Sequence, residues 1–560
     1  MIAIVAGFYY LKPAGLLLAF STSILFLAIF LRLVILSSRN NDKINNLNLL
    51  LDINQQELDI ASGKYMSLPD GHEYLPPLHD YAQDLDIFGR ASLYQYLNRS
   101  TSEQGQQTLS QWLLHPSAHA SIAERQQAAM ELAGNYEWRQ QLHAYGLANK
   151  VIINTQQRIG TWLTEPDRFY ASHWKWIRYV CPAIVLTCLG LTFAELMPYQ
   201  IFMGIFFIFL LIGLLISRKV SPIYFQLDKI VKQLETLSYS MAWIEKENFN
   251  TPLLKKIQAE YSTGSSKASD EVANLKNILG LMELRLNPFL FIFLNSAFLW
   301  DLQQVLALEE WKKRNSAHVL SWFTHLGLME GLSTIATIHF NHPGWTFPVL
   351  DDKEGTFIAR ELGHPLIPAG KRVSSSFSTT DTGRLALITG SNMAGKSTFL
   401  RSVGINQVLA MMGAPVCAAS LTVSNMRIIS SMRIADNLEE NTSTFYAELK
   451  KLKYIIEAVN NHEQVFLLLD EILRGTNSLD RQIGSKALIK QLIRQNAVGM
   501  LATHDLELAD LINDYPSNIH NYHFDVQVAN EELYFDYKLK EGICKSLNAS
   551  ILMKKIGIEL

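Results

Sequence analysis

The chain has 560 residues and is almost neutral, with 49 Lys and Arg against 52 Asp and Glu. At about 100–200 residues per domain, this length predicts three or four structural units. Only 18% of the residues are charged, against roughly 25% in ordinary soluble proteins, whereas 48% are hydrophobic. This composition excludes a disordered chain and a small disulfide scaffold. The net charge of −3 gives no whole-chain argument for a nucleic-acid binder.

The cysteines have neither a CxxC nor a metal-ligand spacing, which favours unpaired thiols in a reducing compartment and makes a metal site improbable. They are Cys181, Cys188, Cys417 and Cys544.

The N-terminus, residues 1–36, is predicted to be a membrane segment. Residues 15–36 contain one charge, Arg32, and a helix of that length crosses a hydrocarbon core of about 30 Å. The apolar run at 2–11 is too short to span, so it predicts a re-entrant or interfacial piece, or a chain that starts further upstream. A cleaved signal peptide is the weaker alternative, because a basic n-region and a small-residue cleavage site are missing.

Residues 40–172 have the spacing of amphipathic helices, for example over 102–114 and 122–132, with a break at Pro116. They predict the first half of a helical core domain.

A second apolar block covers residues 179–216, and Glu195 is its only charge. The turn signal at 195–198 divides it into two arms, which predicts a transmembrane hairpin within residues 173–220. A buried hairpin of a soluble core is the alternative, but these arms have no polar face. Basic residues flank both ends, so the positive-inside rule places both ends in the cytoplasm. We therefore expect a multi-pass protein of the cytoplasmic (inner) membrane, with the bulk of its chain in the cytoplasm.

Residues 221–345 continue the helical pattern and predict lever helices and the second half of the core. Within them the run at 289–300 is a 12-residue apolar segment, and its length favours a buried core helix over a span. His-Pro-Gly at 342–344 stops this pattern.

From residue 346 to residue 560, short apolar strands alternate with helices. The strands predicted at 385–389, 465–469 and 499–503 are nearly continuous apolar runs, which indicates a sheet covered on both faces. The fold class is therefore α + α/β, with transmembrane helices and a helical core and lever domain before a C-terminal P-loop domain.

The segment 390–398, Gly-Ser-Asn-Met-Ala-Gly-Lys-Ser-Thr, fits the pattern G-x-x-x-x-G-K-S between a predicted strand and a predicted helix. Its glycines let backbone N–H groups surround phosphate, Lys396 reaches the β- and γ-phosphates, and Ser397 ligates Mg²⁺. A plain glycine-rich turn is the alternative. The phosphate-binding residues are Gly390, Gly395, Lys396, Ser397 and Thr398.

A second part of the site is predicted where strand 465–469 runs into Asp470 and Glu471. Asp470 is expected to hold the Mg²⁺ shell, and Glu471 to orient and polarise the attacking water. A solvated acidic pair at the end of an edge strand is the alternative. His504 ends a third buried strand and is expected to sense the γ-phosphate, although a lone histidine there is usually structural.

Together these segments resemble the ATPase domain of the MutS mismatch-repair family. Asn392 and Met393 in the P-loop and Arg-Gly-Thr at 474–476 are distinctive of that family, and Asn392 is added to the nucleotide-binding residues. No Leu-Ser-Gly-Gly signature of ABC transporters is found in the sequence. The segments that carry the resemblance are 389–401, 436–448, 470–480, 502–504 and 542–549. It covers roughly residues 340–560 and extends more weakly over 86–145 and 323–348.

The resemblance implies an ABC-type ATPase that uses ATP and Mg²⁺ and works as a homodimer. Ser443 and Thr444 of one subunit would then contact the γ-phosphate in the other subunit, at the start of a helix over 444–459. Residues 361–367 look like the family's strand before the P-loop, with apolar members near the adenine.

The chain also departs from the family. It has no recognisable mismatch-reading domain and no Phe-x-Glu wedge, and the membrane hairpin lies where the family carries its DNA clamp. DNA as a partner is implied by the resemblance alone. Solvated helix faces explain the lysines of this region as well as phosphate contacts do; they are Lys229, Lys232, Lys246, Lys255, Lys256 and Lys267.

We therefore expect a membrane-tethered MutS-like ATPase whose turnover is coupled to mismatched, damaged or branched DNA. The alternative is a DNA-independent mechanochemical ATPase that acts on the bilayer through its hairpin. A transporter subunit is a weaker third class, because the spans offer few polar residues to line a path.

Overall fold

The computed structural model describes residues 16–169, 172–262, 266–391, 394–433, 444–461, 463–529 and 532–544. A helical part comes first and an α/β part follows. The helices of the first part are α1 Leu16–Ala61, α2 Leu93–Leu97, α3 Glu103–Leu114, α4 His119–Gly134, α5 Tyr136–Ala148, α6 Ile153–Thr164, α7 Ser172–Phe193, α8 Tyr199–Leu227, α9 Val231–Lys246, α10 Pro252–Glu260, α11 Ala268–Glu283, α12 Pro288–Phe298, α13 Trp300–Asn315 and α14 Val319–Asn341.

Among the described residues, α1, α7 and the rod formed by α8 and α9 are long and apolar enough to cross a membrane. Helix α1 has 46 residues and is about 69 Å long, so the chain does not break near residues 36–40. The turn between α7 and α8 lies at the expected position, with Glu195 at φ 59°. Trp176 and Leu211 are 70% and 62% exposed, which does not fit a hairpin buried in a soluble core.

Helix α12 corrects one prediction. The 12-residue apolar run favours a buried core helix, but Phe289 and Phe293 are 86% and 56% exposed. Only the opposite side of α12 is covered, where Ala297 packs with Val185 of α7 and Phe209 of α8. The length of the run could not reveal this, because a buried helix and a helix on the outside of a hairpin can be equally short and equally apolar.

The α/β part contains helices and two sheets. Its strands are β1 Val349–Asp351, β2 Thr356–Leu362, β3 Ser375–Thr380, β4 Leu385–Thr389, β5 Ser420–Ser424, β6 Arg427–Ser431, β7 Val465–Asp470, β8 Val498–Thr503, β9 Ile519–Ala529 and β10 Glu532–Glu541, and its helices are α15 Lys396–Met412, α16 Thr444–Asn460, α17 Ser478–Arg494 and α18 Leu511–Asp514. The smaller sheet has the order β1-β5-β2-β3, and the larger has the order β10-β9-β4-β8-β7-β6.

The larger sheet is covered on both faces, as the continuous apolar strands predict. In β4, Leu385 and Leu387 belong to one hydrophobic cluster, with α16 and α17, whereas Ala386 and Ile388 belong to the other, with α15. The strands from β9 to β6 run parallel, and only β10 is antiparallel. Their carboxyl ends therefore meet at one edge of the sheet, which is where ligands bind in such folds.

A loop of the helical part joins the two parts next to this edge. The carboxylate of Asp84 is buried and accepts hydrogen bonds from Ser430 Oγ at 2.6 Å and from the backbone N–H of Arg433 at 2.9 Å. The Arg433 guanidinium also forms two hydrogen bonds with Asp86, and Arg401 of α15 donates to the Asp84 carbonyl. The end of β6 is thus hydrogen-bonded directly to the helical part.

Candidate nucleotide site

The P-loop connects β4 to α15, as predicted. Gly390 and Gly395 have φ values of 149° and 105°, and a Cβ at Gly395 would lie 3.2 Å from the Tyr537 ring. Both positions therefore need glycine. The Nζ of Lys396 donates to the carbonyl oxygens of Gly390 at 2.8 Å and Ser391 at 3.0 Å. Burial lowers the pKa of Lys396, while Glu471 and Asp470 act in the opposite direction.

Strand order brings the acidic residues to this loop. Strand β8 lies between β4 and β7, with Thr389 opposite Thr503 and Asp470 opposite Ala502. The P-loop, His504 and the two carboxylates consequently share one edge. Asp470 is 7% exposed and lies beside the Ser397 hydroxyl. Burial raises the pKa of Asp470, although Ser397 and the nearby cations favour the charged form.

Glu471 lies in a strained turn with polar neighbours on both sides. Its φ is 49°, a left-handed conformation that is unusual for a residue other than glycine. Its Oε1 lies 3.4 Å from His504 Nδ1, and its Oε2 lies 3.4 Å from Arg474 Nε. Arg474 also donates to the backbone carbonyls of both carboxylate residues. The turn therefore fixes the direction of the Glu471 side chain.

These groups border two adjoining cavities. The larger has a volume of about 600 Å³ and is lined by the P-loop, both carboxylates, Arg401 and Arg474. The smaller, of about 210 Å³, lies beside Gly395 and is mainly apolar; its walls include Leu362, His364, Ile367, Phe399, Phe524 and Tyr537. Tyr537 lines both cavities and so stands between them.

Most of the predicted site residues meet here. Those that line the larger cavity are Gly395, Lys396, Ser397, Thr398, Asp470 and Glu471. His504 does not line this cavity and faces a neighbouring one, but it contacts Glu471. Thr444 begins α16, in agreement with the predicted helix start. Asn392 and Ser443 lie outside the described residues.

The segment 361–367 differs from the expected strand. Strand β2 ends at Leu362, and the strand that leads into the P-loop is β4. The remaining residues form a turn that places His364 and Ile367 in the wall of the smaller cavity. Burial lowers the pKa of His364 to about 4, so its ring is neutral near pH 7.

Three residues at the site have roles that the motifs do not reveal. Arg474 is part of a distinctive motif, but only the turn after β7 shows that it donates to the backbone carbonyls of both carboxylate residues. Glu448 of α16 is buried and accepts a hydrogen bond from the backbone N–H of Leu473. Tyr537 adopts φ 52° at an irregularity in the β9–β10 pairing. Glu448 ends the 436–448 segment that carries the resemblance, but that segment does not indicate its contact with Leu473. No local sequence signal marks Tyr537, because the fold brings it to the P-loop from a distant strand.

Comparison with known proteins agrees with this geometry. Residues 386–555 match the family model of MutS domain V. The chain is 34% identical over 214 residues to "MutS protein homolog 4" of Homo sapiens, covering 36% of this chain and 22% of that protein. It is 34% identical over 205 residues to the Mus musculus protein of the same name, covering 34% and 21%. It is 31% identical over 197 residues to "DNA mismatch repair protein MSH4" of Arabidopsis thaliana, covering 35% and 24%.

The chain thus spans less than a quarter of the length of these relatives. The matched region contains the P-loop, both carboxylates and His504. Over residues 386–555, the chain matches domain V of the MutS family.

Proposed function

We propose that this protein is a membrane-tethered ATPase that hydrolyses ATP with Mg²⁺. The observation that carries the proposal is that the P-loop and the two carboxylates at the end of β7 line one cavity of about 600 Å³. This combination of a phosphate-binding loop, a buried metal-ligand carboxylate and an oriented second carboxylate is what phosphoryl transfer to water requires.

The residues present fit a hydrated Mg²⁺, because Ser397 Oγ and the Asp470 carboxylate lie side by side and both are hard oxygen donors. When bound, Mg²⁺ would neutralise charge on the phosphate oxygens. Lys396 would bind the β- and γ-phosphates from the start of α15, where the N–H groups of the helix point toward the anion.

Glu471 would orient the attacking water and accept its proton. Arg474 holds the Glu471 carboxylate from one side. His504 contacts this carboxylate from the other side at 3.4 Å, and through this contact it would act on Glu471 as a γ-phosphate sensor. The smaller cavity would take the adenine against the neutral His364 ring and Tyr537.

We further propose that two copies form composite sites, in which Ser443 and Thr444 of one copy contact the γ-phosphate in the other. Thr444 stands at the first residue of a 17-residue helix, a position that favours anions. ATP binding would close the dimer and hydrolysis would open it.

The decisive experiment compares Glu471→Gln and Lys396→Ala with the unaltered protein in detergent. We expect Glu471→Gln to bind ATP with ordinary affinity and to lose turnover by about 100-fold or more, because it removes the general base. Lys396→Ala should lose ATP binding. Unchanged hydrolysis in either variant would disprove this assignment of the site.

Membrane attachment is supported by the exposed apolar surfaces of α1, α7 and α8. We propose that these helices cross the cytoplasmic membrane and leave the α/β part in the cytoplasm. Sedimentation with membranes that resists carbonate extraction would support this topology, and release by carbonate would oppose it.

DNA is the proposed effector, because the matched Arabidopsis relative is by name a DNA mismatch repair protein. One observation favours the DNA-independent alternative: α8 continues into α9 as a 48-residue rod, so the hairpin is mechanically continuous with the lever helices. ATP hydrolysis measured with duplex, mismatched and branched DNA separates the two. Stimulation that weakens steeply with salt supports DNA coupling. A rate indifferent to every DNA supports action on the bilayer.

A further inference from the structure

The residues on either side of α12 are held against the same part of α8. Arg285, which precedes α12, donates from Nη2 to the hydroxyls of Ser217 at 2.7 Å and Ser221 at 2.8 Å. Asp301, which follows α12, is fully buried and lies 3.3 Å from Arg285. The two residues that flank α12 are therefore held at one level along α8.

That level is the basic end of the apolar stretch of α8, where Arg218 and Lys219 follow residue 216. On the proposed membrane attachment, on which this step rests, it is the cytoplasmic boundary of the bilayer. Helix α12 has 11 residues and is about 16 Å long, against about 30 Å of hydrocarbon. It can therefore enter the bilayer but cannot cross it.

The inner side of α12 packs closely on the hairpin. A Cβ added to Gly213 of α8 would lie 3.0 Å from Asn295 Cβ, so the two helices approach as closely as a glycine permits. Small residues at the contact are typical of helices that pack together within a membrane. Ala297 extends the contact to Val185 and Phe209. Phe209 lies about 13 Å along α8 from Arg218, well inside the apolar stretch.

Asparagine side chains bind backbone N–H groups at both ends of α12. Asn287 Oδ1 accepts from the backbone N–H groups of Phe289 and Leu290. At the other end, Asn295 Oδ1 accepts from the backbone N–H of Asp301 at 3.1 Å. A helix inserted into lipid needs such internal partners, because hydrocarbon offers none.

We infer that α12 is a re-entrant helix that enters the cytoplasmic leaflet beside the hairpin and returns on the same side. The chain bends by 112° into it from the segment Ala268–Leu286, which consists of α11 and the helical turn after it. The exposed Phe289, Ile292 and Phe293 would then be covered by lipid acyl chains. Lipid fits this face better than a second copy does, because the face continues into the exposed apolar side of the hairpin, for example at Phe207.

A photocrosslinking experiment tests the inference on the full chain. Benzoylphenylalanine replaces Phe293, and the protein is reconstituted in phosphatidylcholine–phosphatidylglycerol vesicles that contain an alkyne-tagged acyl chain. Phe207 of α8, 54% exposed, is the matched position in the proposed span, and Tyr534 of β10, 66% exposed, is the matched aromatic position outside it. We expect lipid adducts at Phe293 and Phe207, each several-fold above Tyr534.

The outcomes separate the two proposals. Adducts at Phe207 without adducts at Phe293 overturn the re-entrant helix and leave membrane attachment standing. Adducts at neither position overturn both. A protein–protein adduct at the mass of two chains from Phe293, without lipid, overturns the inference in favour of a self-association face.

Discussion

The carboxylate of Glu448 accepts a hydrogen bond from the backbone N–H of Leu473, two residues after Glu471. Glu448 belongs to α16, whose first residue is Thr444, so this contact joins the proposed γ-phosphate contact of one site to the proposed general base of the other. The turn it supports contains two residues in left-handed conformations, Glu471 at φ 49° and Leu473 at φ 59°. Such residues cost about 1–3 kcal/mol each and need external support.

We therefore predict that Glu448→Ala lowers the ATPase turnover number by about tenfold or more with little change in ATP affinity, because a misplaced base loses orientation. Glu457→Ala is the matched control on the same helix, since Glu457 is 57% exposed and pairs only locally with Lys453 in the described structure. Steady-state kinetics measures both variants. An equal effect of the two substitutions would mean that helix stability, and not support of the turn, explains the loss.

Asp470 couples stability to pH. Burial raises the pKa of its carboxyl above 3.8, so in the nucleotide-free protein its charge becomes unfavourable as the pH rises through that raised value. We predict that Asp470→Asn raises the melting temperature at neutral pH, raises it less in acid, and abolishes Mg²⁺-dependent hydrolysis. Differential scanning fluorimetry across pH measures the first two effects, with the 96% exposed Asp352→Asn as control. A lower melting temperature at neutral pH would contradict the prediction.

The same raised pKa affects metal binding. A protonated Asp470 cannot ligate Mg²⁺. As the pH is lowered, the affinity for Mg²⁺ should therefore begin to fall at a higher pH than it would with an aspartate of ordinary pKa. Titration of Mg²⁺ into the ATP-bound Glu471→Gln variant at a series of pH values measures this dependence. A flat profile down to the ordinary aspartate range would refute it.

We predict that the Tyr537 side chain strengthens ATP binding. It borders both cavities and is 47% exposed, so its ring can cover a bound base. Loss of one aromatic stacking partner typically costs about 1–3 kcal/mol. Tyr537→Ala should therefore weaken ATP binding roughly tenfold while the turnover number at saturation is retained, and Tyr537→Phe should behave like the unaltered protein. Equilibrium binding of a fluorescent ATP analogue tests this, and Tyr534→Ala should have no effect.

The ion pair at the base of α12 should be important for stability. Removal of one member of a buried pair typically costs about 3–5 kcal/mol, because the other charge is left without compensation. We predict that Arg285→Met lowers the melting temperature of the detergent-solubilised protein, and that Asp301→Leu added to it recovers part of the loss. ATP binding should be unaffected in both variants. A double variant less stable than the single one would contradict this account.

Sequence alone identified the candidate residues of the site and most of the elements. The P-loop, Asp470 and Glu471 are recognisable because a phosphate site needs these residue types at short, fixed spacings. The strands β4, β7 and β8 are recognisable because a strand buried on both faces must be apolar throughout. The arms and turn of the hairpin follow in the same way from the distribution of charge.

Tertiary structure decided what depends on contacts between distant residues. Glu448 and Tyr537 reach the site from α16 and β10, and no local spacing encodes those approaches. The apolar run that became α12 predicts burial equally well in a core or against a hairpin. The Arg285–Asp301 pair and the packing of Ala297 on the hairpin leave its phenylalanines on the outside. The hydrophobicity of a side chain predicts that it is removed from water, but only the fold determines which groups cover it.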